Sequence, residues 1–213
     1  IRFAAEMARR RDPAVLLAAG PQRSQLAEAL EHPDRRVRFA ALEAVMNIAP
    51  QETFAGASAV PKLLWEFAAA AGTPQALAAS SRTNQASAWA AQLRALGYDG
   101  IPAPTGREAL LAALDSPRRA LMVIDSDIAD PRLREVLYQL RGRRLTKQLP
   151  VAIFSSLPNL AQSQSLATGD PYLLAIARPQ REGDFAAVVK ELEELNPATT
   201  DEQTRSEWAT KSL

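Results

Sequence analysis

Asp125 ends an apolar run and is the first residue to consider for chemistry. Leu121 to Ile124 are four apolar residues in succession, a pattern typical of a strand covered on both faces in a parallel sheet. The Asp125 carboxylate would then lie at the carboxyl end of that strand, the edge at which open α/β sheets bind ligands. We therefore expect any chemistry of this chain to centre on Asp125 and to depend on its neighbours.

The composition excludes several classes of site. The chain has 213 residues, of which 47% are apolar, so one large or two small domains with a real core can form. A net charge of +1 gives no general attraction to nucleic acid or membranes. There is no cysteine and one histidine, His32, so thiolate and histidine-rich metal sites are excluded. We expect no metal and no cofactor, and the start at Ile1 rather than Met suggests a fragment.

A short motif occurs twice near the start of the chain. IRFAA at 1–5 and VRFAA at 37–41 are separated by a distance typical of helical-pair solenoids. The apolar spacing predicts helices over 22–32, 34–48 and 58–71.

This segment, residues 1–72, resembles a HEAT repeat, which implies a protein-binding α-solenoid edge preceded by further repeats. The matching positions are Leu26, Leu30, Pro33, Asp34, Val37, Arg38, Ala41, Ala44 and Val45.

Two basic clusters admit two interpretations each. Arg35, Arg36 and Arg38 are predicted to form a solvated helix face, the alternative being a patch for phosphate or acidic ligands. The second cluster consists of Arg141, Arg143, Arg144 and Lys147. It is predicted to place cations at a helix C-terminus, and the alternative is nucleic-acid binding.

Strand and helix patterns alternate over residues 73–196. The predicted strands are 75–80, 100–103, 120–125, 149–155 and 173–177, and the predicted helices are 83–96, 105–115, 132–142, 159–168 and 182–195. This alternation predicts a doubly wound five-stranded parallel sheet. Residues 197–213 are predicted to be a polar tail leading to a further segment, with Trp208 as the one indication of docking.

The 73–196 segment resembles a response-regulator (CheY-like) receiver domain. The resemblance rests on LRALGYDG at 93–100, TGREALLAAL at 105–114, MVID at 122–125, PVAIFSS at 150–156 and Arg178-Pro179. It implies bacterial two-component signalling in the cytoplasm, and a cis peptide between Arg178 and Pro179.

The resemblance also implies a phosphoacceptor pocket, and this chain departs from it. Asp125 matches the acceptor and Ser155 the hydroxyl that responds to it, whereas Arg178 replaces the family's lysine. Ser80 and Ser81 stand where the family has the acid pair that holds Mg²⁺. Because Mg²⁺ requires carboxylates and phosphoryl transfer requires charge neutralisation, we expect a vestigial pocket in which Arg178 pairs directly with Asp125.

These patterns predict a non-enzymatic signalling or scaffold protein that acts by protein–protein contact. We expect protein partners, no nucleic acid and no membrane segment in this chain, and a homodimer is compatible with the sequence. One alternative is a phosphorylatable receiver with Asp125 as the acceptor. Another is a flavodoxin-like domain that binds a small molecule at its strand ends.

Overall fold

The computed structural model describes residues 14–17, 22–195 and 202–212. These belong to two compact units: a helical unit drawn from residues 1–71 and 200–213, and an α/β unit drawn from residues 72–199. The chain thus leaves the helical unit, forms the α/β unit and then returns. The first copy of the repeated motif, at 1–5, lies outside the described residues.

Before residue 72, the described part of the helical unit contains four helices. They are α1 (Ala14–Leu17), α2 (Gln25–Ala29), α3 (Arg35–Ile48) and α4 (Ala59–Ala68). Each of α2 and α3 begins at a side-chain cap: Ser24 Oγ accepts from Ala27 N at 3.2 Å, and Asp34 Oδ1 accepts from Arg36 N at 2.8 Å. The HEAT-like assignment itself stays a prediction.

One continuous core holds these helices together. Four apolar residues of α3 form a buried stripe along the helix: Ala41, Ala44, Val45 and Ile48. It packs in the same cluster as Leu16, Leu26, Leu30, Leu42, Leu63 and Phe67. The apolar face of α3 is therefore turned toward the core, as expected for an amphipathic helix.

The α/β unit is a five-stranded parallel sheet. Its strands are β1 (Gln75–Ala79), β2 (Asp99–Ala103), β3 (Arg119–Asp125), β4 (Val151–Ser155) and β5 (Leu173–Ala177). Their spatial order is β2-β1-β3-β4-β5, with every neighbouring pair parallel. This is the flavodoxin-like order, so the predicted doubly wound sheet is confirmed.

Helices cover both faces of this sheet. They are α5 (Thr83–Ala95), α6 (Gly106–Asp115), α7 (Leu133–Arg141), α8 (Leu160–Ala167) and α9 (Glu182–Leu195), and a short 3₁₀ turn, Leu157–Asn159, precedes α8. Apolar residues of α6, α7 and α8 pack on one face, and those of α5 and α9 pack on the other. Alternate residues of β3 contribute to the two cores, which explains its unbroken apolar run.

The polar segment at the end of the chain contains a helix. Whereas the composition predicts a linker over 197–213, the structure has α10 (Glu202–Ser212), and this helix belongs to the helical unit. Trp208, 7% exposed, is packed in the core of that unit. The buried indole and the neighbouring buried Ala209 account for a helix in a segment that is otherwise largely polar.

Arg38 corrects the interpretation of the first basic cluster as a solvated face. Its side chain is 5% exposed and donates to Glu66 Oε1 at 2.7 Å. It also donates to the carbonyl oxygens of His32 and Pro33 at 2.8 and 2.7 Å. Only Arg36 of the cluster has the exposed position expected, paired with Asp34.

Arg141 likewise holds a loop rather than simply facing the carboxyl end of α7. Its Nε donates to Asp170 Oδ2 at 2.6 Å, and its NH1 donates to the carbonyl oxygens of Thr146 and Leu149 at 3.2 and 3.0 Å. A guanidinium with five donors can bind several acceptors at once, so this arginine fixes the segment between α7 and β4.

Further observations concern two tryptophans, a cis peptide and the lengths of the helices. Trp89 is buried, and Trp65 is 53% exposed. The prediction of a cis peptide at Arg178–Pro179 is wrong, since in the described residues the cis bond is Asp130–Pro131. Within those residues, every helix is too short or too polar to span a membrane.

Candidate functional site

Asp125 lies where the order of the strands reverses. It is the last residue of β3, and β1 and β4 flank that strand. In a sheet of this order the chain turns from β1 toward β2 and later resumes on the other side of β1 with β3. Such a reversal opens a crevice at the carboxyl ends of β1 and β3, and Ser80, Ser81 and Arg82 follow β1 directly into it.

Both carboxylate oxygens of Asp125 accept hydrogen bonds. Oδ1 accepts from Arg178 NH2 at 2.8 Å and from Asp127 N at 3.2 Å. Oδ2 accepts from Ser80 Oγ at 3.1 Å and from Arg82 NH2 at 3.2 Å. Since Asp125 is only 1% exposed, these donors replace the water that a carboxylate requires.

Arg178 reaches this carboxylate from the strand at the edge of the sheet. It follows β5, and its backbone N–H donates to the Ser155 carbonyl oxygen at 2.9 Å, which continues the pairing of β4 and β5. Its side chain is 16% exposed, and NH2 is also 4.0 Å from Asp127 Oδ2. The contact between Arg178 and Asp125 expected from the sequence is therefore present.

Arg82 places a second guanidinium on the same carboxylate. Its backbone N–H donates to Ser80 Oγ at 3.2 Å, so Ser80 connects the backbone after β1 to Asp125. The Arg82 side chain is 56% exposed and therefore bonds Asp125 from the solvent side. Two guanidinium groups thus bind one buried carboxylate, and the exposed Asp127 carboxylate lies 4.0 Å from Arg178 NH2.

Ser81 and Ser155 are not hydrogen-bonded to Asp125. Ser81 Oγ accepts from Ala129 N at 3.0 Å. Ser155 Oγ forms a buried bond with Ser163 Oγ of α8 at 2.6 Å. The structure thus assembles Ser80, Asp125 and Arg178 from the predicted pocket and ties the other two residues to neighbouring segments.

Two contacts of the pocket were absent from the sequence prediction. Ser163 holds the Ser155 hydroxyl, and Asn159 Nδ2 donates to Asp127 Oδ1 at 3.2 Å. The Asp127 side chain is 53% exposed. The presence of serine both at the end of β4 and in α8 was a signal for the Ser155–Ser163 contact, but a weak one, because serine is common on helix surfaces.

The residues present do not fit Mg²⁺. A magnesium site needs carboxylate and water oxygens in an open octahedral arrangement, whereas the oxygens of Asp125 are engaged by guanidinium groups. In addition, Arg178 Nε is buried without a hydrogen-bond partner among the described residues; this atom is a donor and calls for an anion, not a cation. Across the described part of the chain, three or more His, Cys, Asp or Glu side chains nowhere converge in a way that could bind a metal.

Comparisons with known proteins give similarities to solved structures but no match at the level of sequence families. No family model matches the sequence, and no curated protein matches it. Among solved structures, the chain is similar to the chemotaxis response regulator CheY4 of Vibrio cholerae, with 16% sequence identity and a TM-score of 0.47. The similarity covers 57% of this chain and 99% of that one.

Proposed function

We propose that the α/β unit is a receiver-like signalling module that acts through protein–protein contact and does not accept a phosphoryl group. The proposal rests on one observation: the Asp125 carboxylate is bound on Oδ1 by Arg178 and on Oδ2 by Arg82. On this proposal the protein is a scaffold or signalling component and not an enzyme.

The guanidinium contacts oppose phosphorylation for two physical reasons. An attacking carboxylate oxygen must be free of strong hydrogen bonds, and here each oxygen is bound by a charged donor in addition to an uncharged one. Phosphoryl transfer also depends on a metal and on donors positioned around the equatorial oxygens of the phosphoryl group. A corner bounded by Arg82 and the Ser80 hydroxyl supplies no anionic ligand for that metal.

The hydroxyl expected to respond to phosphorylation is engaged as well. Ser155 Oγ bonds Ser163 Oγ in a buried contact, so its movement toward Asp125 would leave the Ser163 hydroxyl without this partner. The cost of an unsatisfied buried hydroxyl favours a fixed arrangement of β4 and α8. These contacts support a module with one stable state of its pocket.

Intact mass after exposure to Mg²⁺ and acetyl phosphate tests the proposal. We expect the mass of the full chain to stay unchanged, and we expect the same for Asp125→Asn. A gain of one phosphoryl group in the natural chain that is lost in Asp125→Asn would instead establish Asp125 as an acceptor.

A variant that restores the acids provides the matched comparison. Ser80→Asp and Ser81→Asp combined with Arg178→Lys re-create the residue types that the family resemblance implies around Asp125. We expect Mg²⁺ binding, measured by calorimetry, to appear in this variant and to be absent from Arg178→Lys alone. Equal Mg²⁺ binding by the natural chain would contradict the assignment of the acid pair as the missing component.

A further inference from the structure

The C-terminal helix α10 docks on the helical unit mainly through one aromatic side chain. Phe39 of α3 and Phe67 of α4 form a recess, here called the aromatic slot, that contains the indole of Trp208. The indole stacks on Phe39, with ring centroids 4.9 Å apart and planes at 21°. It meets Phe67 edge-on, at 5.2 Å and 85°. The aromatic slot therefore fixes both the position and the orientation of an indole.

Charged groups beside the aromatic slot add to its specificity. The guanidinium carbon of Arg35 lies 5.7 Å from the centre of the Trp208 ring and 5.4 Å from that of Phe67, within range of a cation–π interaction. One turn further along α10, Lys211 Nζ donates to Glu43 Oε1 at 2.8 Å. The slot and its rim thus match a helix that has tryptophan followed three residues later by a cation.

The remainder of α10 contributes little to docking. Besides Trp208, Ala209 is buried, whereas the other described side chains of α10 are exposed or half-exposed. An isolated polar helix of 11 residues is not stable in water. The helical state of α10 therefore depends on its occupation of the aromatic slot.

The route of the chain makes α10 a tethered ligand of the helical unit. Phe39 and Phe67 precede the α/β unit, whereas Trp208 follows it. The connection between α10 and the slot thus runs through another folded unit, and any second copy of the chain presents the same helix with the same contacts. Exchange of an identical element between copies loses none of these contacts.

We propose that the aromatic slot is a helix-docking site that accepts α10 from a second copy, so that two chains exchange their C-terminal helices and form a dimer. In a single chain, α10 occupies the aromatic slot of the same chain; in the dimer, it occupies that of the other. The equilibrium between these two states depends on the chain concentration relative to the effective concentration of α10 that its covalent connection provides. The proposal does not rest on the function assigned to the α/β unit.

Because the chain has no cysteine, single cysteines allow a direct test on the full chain. One preparation carries Glu43→Cys and another carries Lys211→Cys, the two positions joined by the rim contact. After mixing, a short bifunctional maleimide can join the two preparations only where α10 of one chain lies on α3 of the other. We expect a mixed covalent dimer whose yield rises with chain concentration.

Three controls give each outcome a meaning. The double variant Glu43→Cys/Lys211→Cys should cross-link within one chain at low concentration, which checks the docking geometry. Lys190→Cys, an exposed position on α9, replaces Lys211→Cys to measure cross-linking by random collision. Trp208→Ala should reduce the mixed dimer by about tenfold or more, since buried tryptophan anchors dominate helix docking, whereas Trp208→Phe should retain most of it.

The proposal is overturned by any of three results. The first is a double variant that cross-links internally while the mixture gives no more dimer than the Lys190→Cys control. The second is a mixed dimer that persists in Trp208→Ala, which would place the contact on another surface. The third is a double variant that does not cross-link internally although circular dichroism shows a folded chain.

Discussion

Arg178 NH2 lies 2.8 Å from Asp125 Oδ1 although β4 lies between β3, which ends at Asp125, and β5, which Arg178 follows. The contact crosses the carboxyl edge of the sheet, so it couples β3 to the segment after β5. A buried carboxylate requires a partner of opposite charge, and this pair therefore contributes to the stability of the edge as well as to the properties of the pocket.

Removal of the Arg178 guanidinium should destabilise the α/β unit more than removal of that of Arg82. Arg178→Ala leaves the buried Asp125 charge with one exposed partner, and we expect a loss of about 3 kcal/mol in the free energy of opening of β3. Arg82→Ala removes a pair whose arginine is 56% exposed, and we expect a loss of about 1 kcal/mol or less. Native-state hydrogen exchange of β3 amides measures both values, and equal losses would contradict this division.

Gly100 should tolerate no side chain. A Cβ at this position of β2 would lie 2.1 Å from the carbonyl oxygen of Ala90 in α5, a backbone atom that can move only if the helix moves. We expect Gly100→Ala to cost about 3 kcal/mol in the free energy of unfolding. Gly183→Ala in α9, where a Cβ meets no atom within 4 Å, should stabilise by up to about 1 kcal/mol. Urea denaturation compares the two, and a tolerated Gly100→Ala would refute the close helix–strand packing.

The buried pair Arg38–Glu66 should show strong energetic coupling. Glu66→Leu leaves the Arg38 guanidinium, 5% exposed, without this carboxylate, and we expect a loss of about 3–5 kcal/mol. The double variant Arg38→Met/Glu66→Leu should recover part of that loss, with a coupling free energy of about 2 kcal/mol. Thermal unfolding of the two single variants and the double variant measures the coupling. Strictly additive losses would show that the pair contributes no specific interaction.

The Asp34 cap should make the helical unit sensitive to acid. The side-chain hydrogen bond from Arg36 holds the pKa of the Asp34 carboxyl below its ordinary value of 3.8. A lowered folded-state pKa gives stabilisation that is complete above the unfolded-state pKa and is lost as the pH falls through the folded-state pKa. The cap itself is worth about 1 kcal/mol.

Asp34→Asn is the matched control for this pH dependence, since asparagine caps helices equally well but carries no charge. We expect the stability difference between the natural chain and Asp34→Asn to be constant near neutral pH and to shrink below pH 3.8. Denaturant titrations at a series of pH values measure this difference. A difference that stays constant through that range would show that the charge of Asp34 is immaterial.

The elements of the α/β unit were predictable because four of the five strands are mainly apolar runs between turn residues; β2 (Asp99–Ala103), which contains Pro102 and an exposed Asp99, is the exception. A strand that is buried on both faces of a sheet requires such a run, so the sequence of β3 indicates that this strand lies in the interior of the sheet. The Asp125–Arg178 contact was predictable for a related reason: residues that follow parallel strands share one edge of the sheet. A register error of one residue would have turned either side chain away.

The contacts that escaped prediction join segments whose relative position depends on tertiary packing. Glu66 faces Arg38 only because α4 packs against α3, and a charged residue read alone on either helix suggests a solvated surface. Trp208 is similar, since α10 has almost no apolar periodicity and its helix forms on a surface built elsewhere. Ser163 and Asn159 belong to this group too, as hydroxyl and amide groups have many suitable partners.

The helical unit is formed by two segments that are separated in the chain, and this has a consequence for its folding during synthesis on the ribosome. Phe39 and Phe67 emerge early, yet the indole that covers them is translated only after the entire α/β unit. Vectorial synthesis therefore leaves an aromatic surface uncovered while the α/β unit is made, and neighbouring nascent chains on a polysome present the same surface and, later, the same helix.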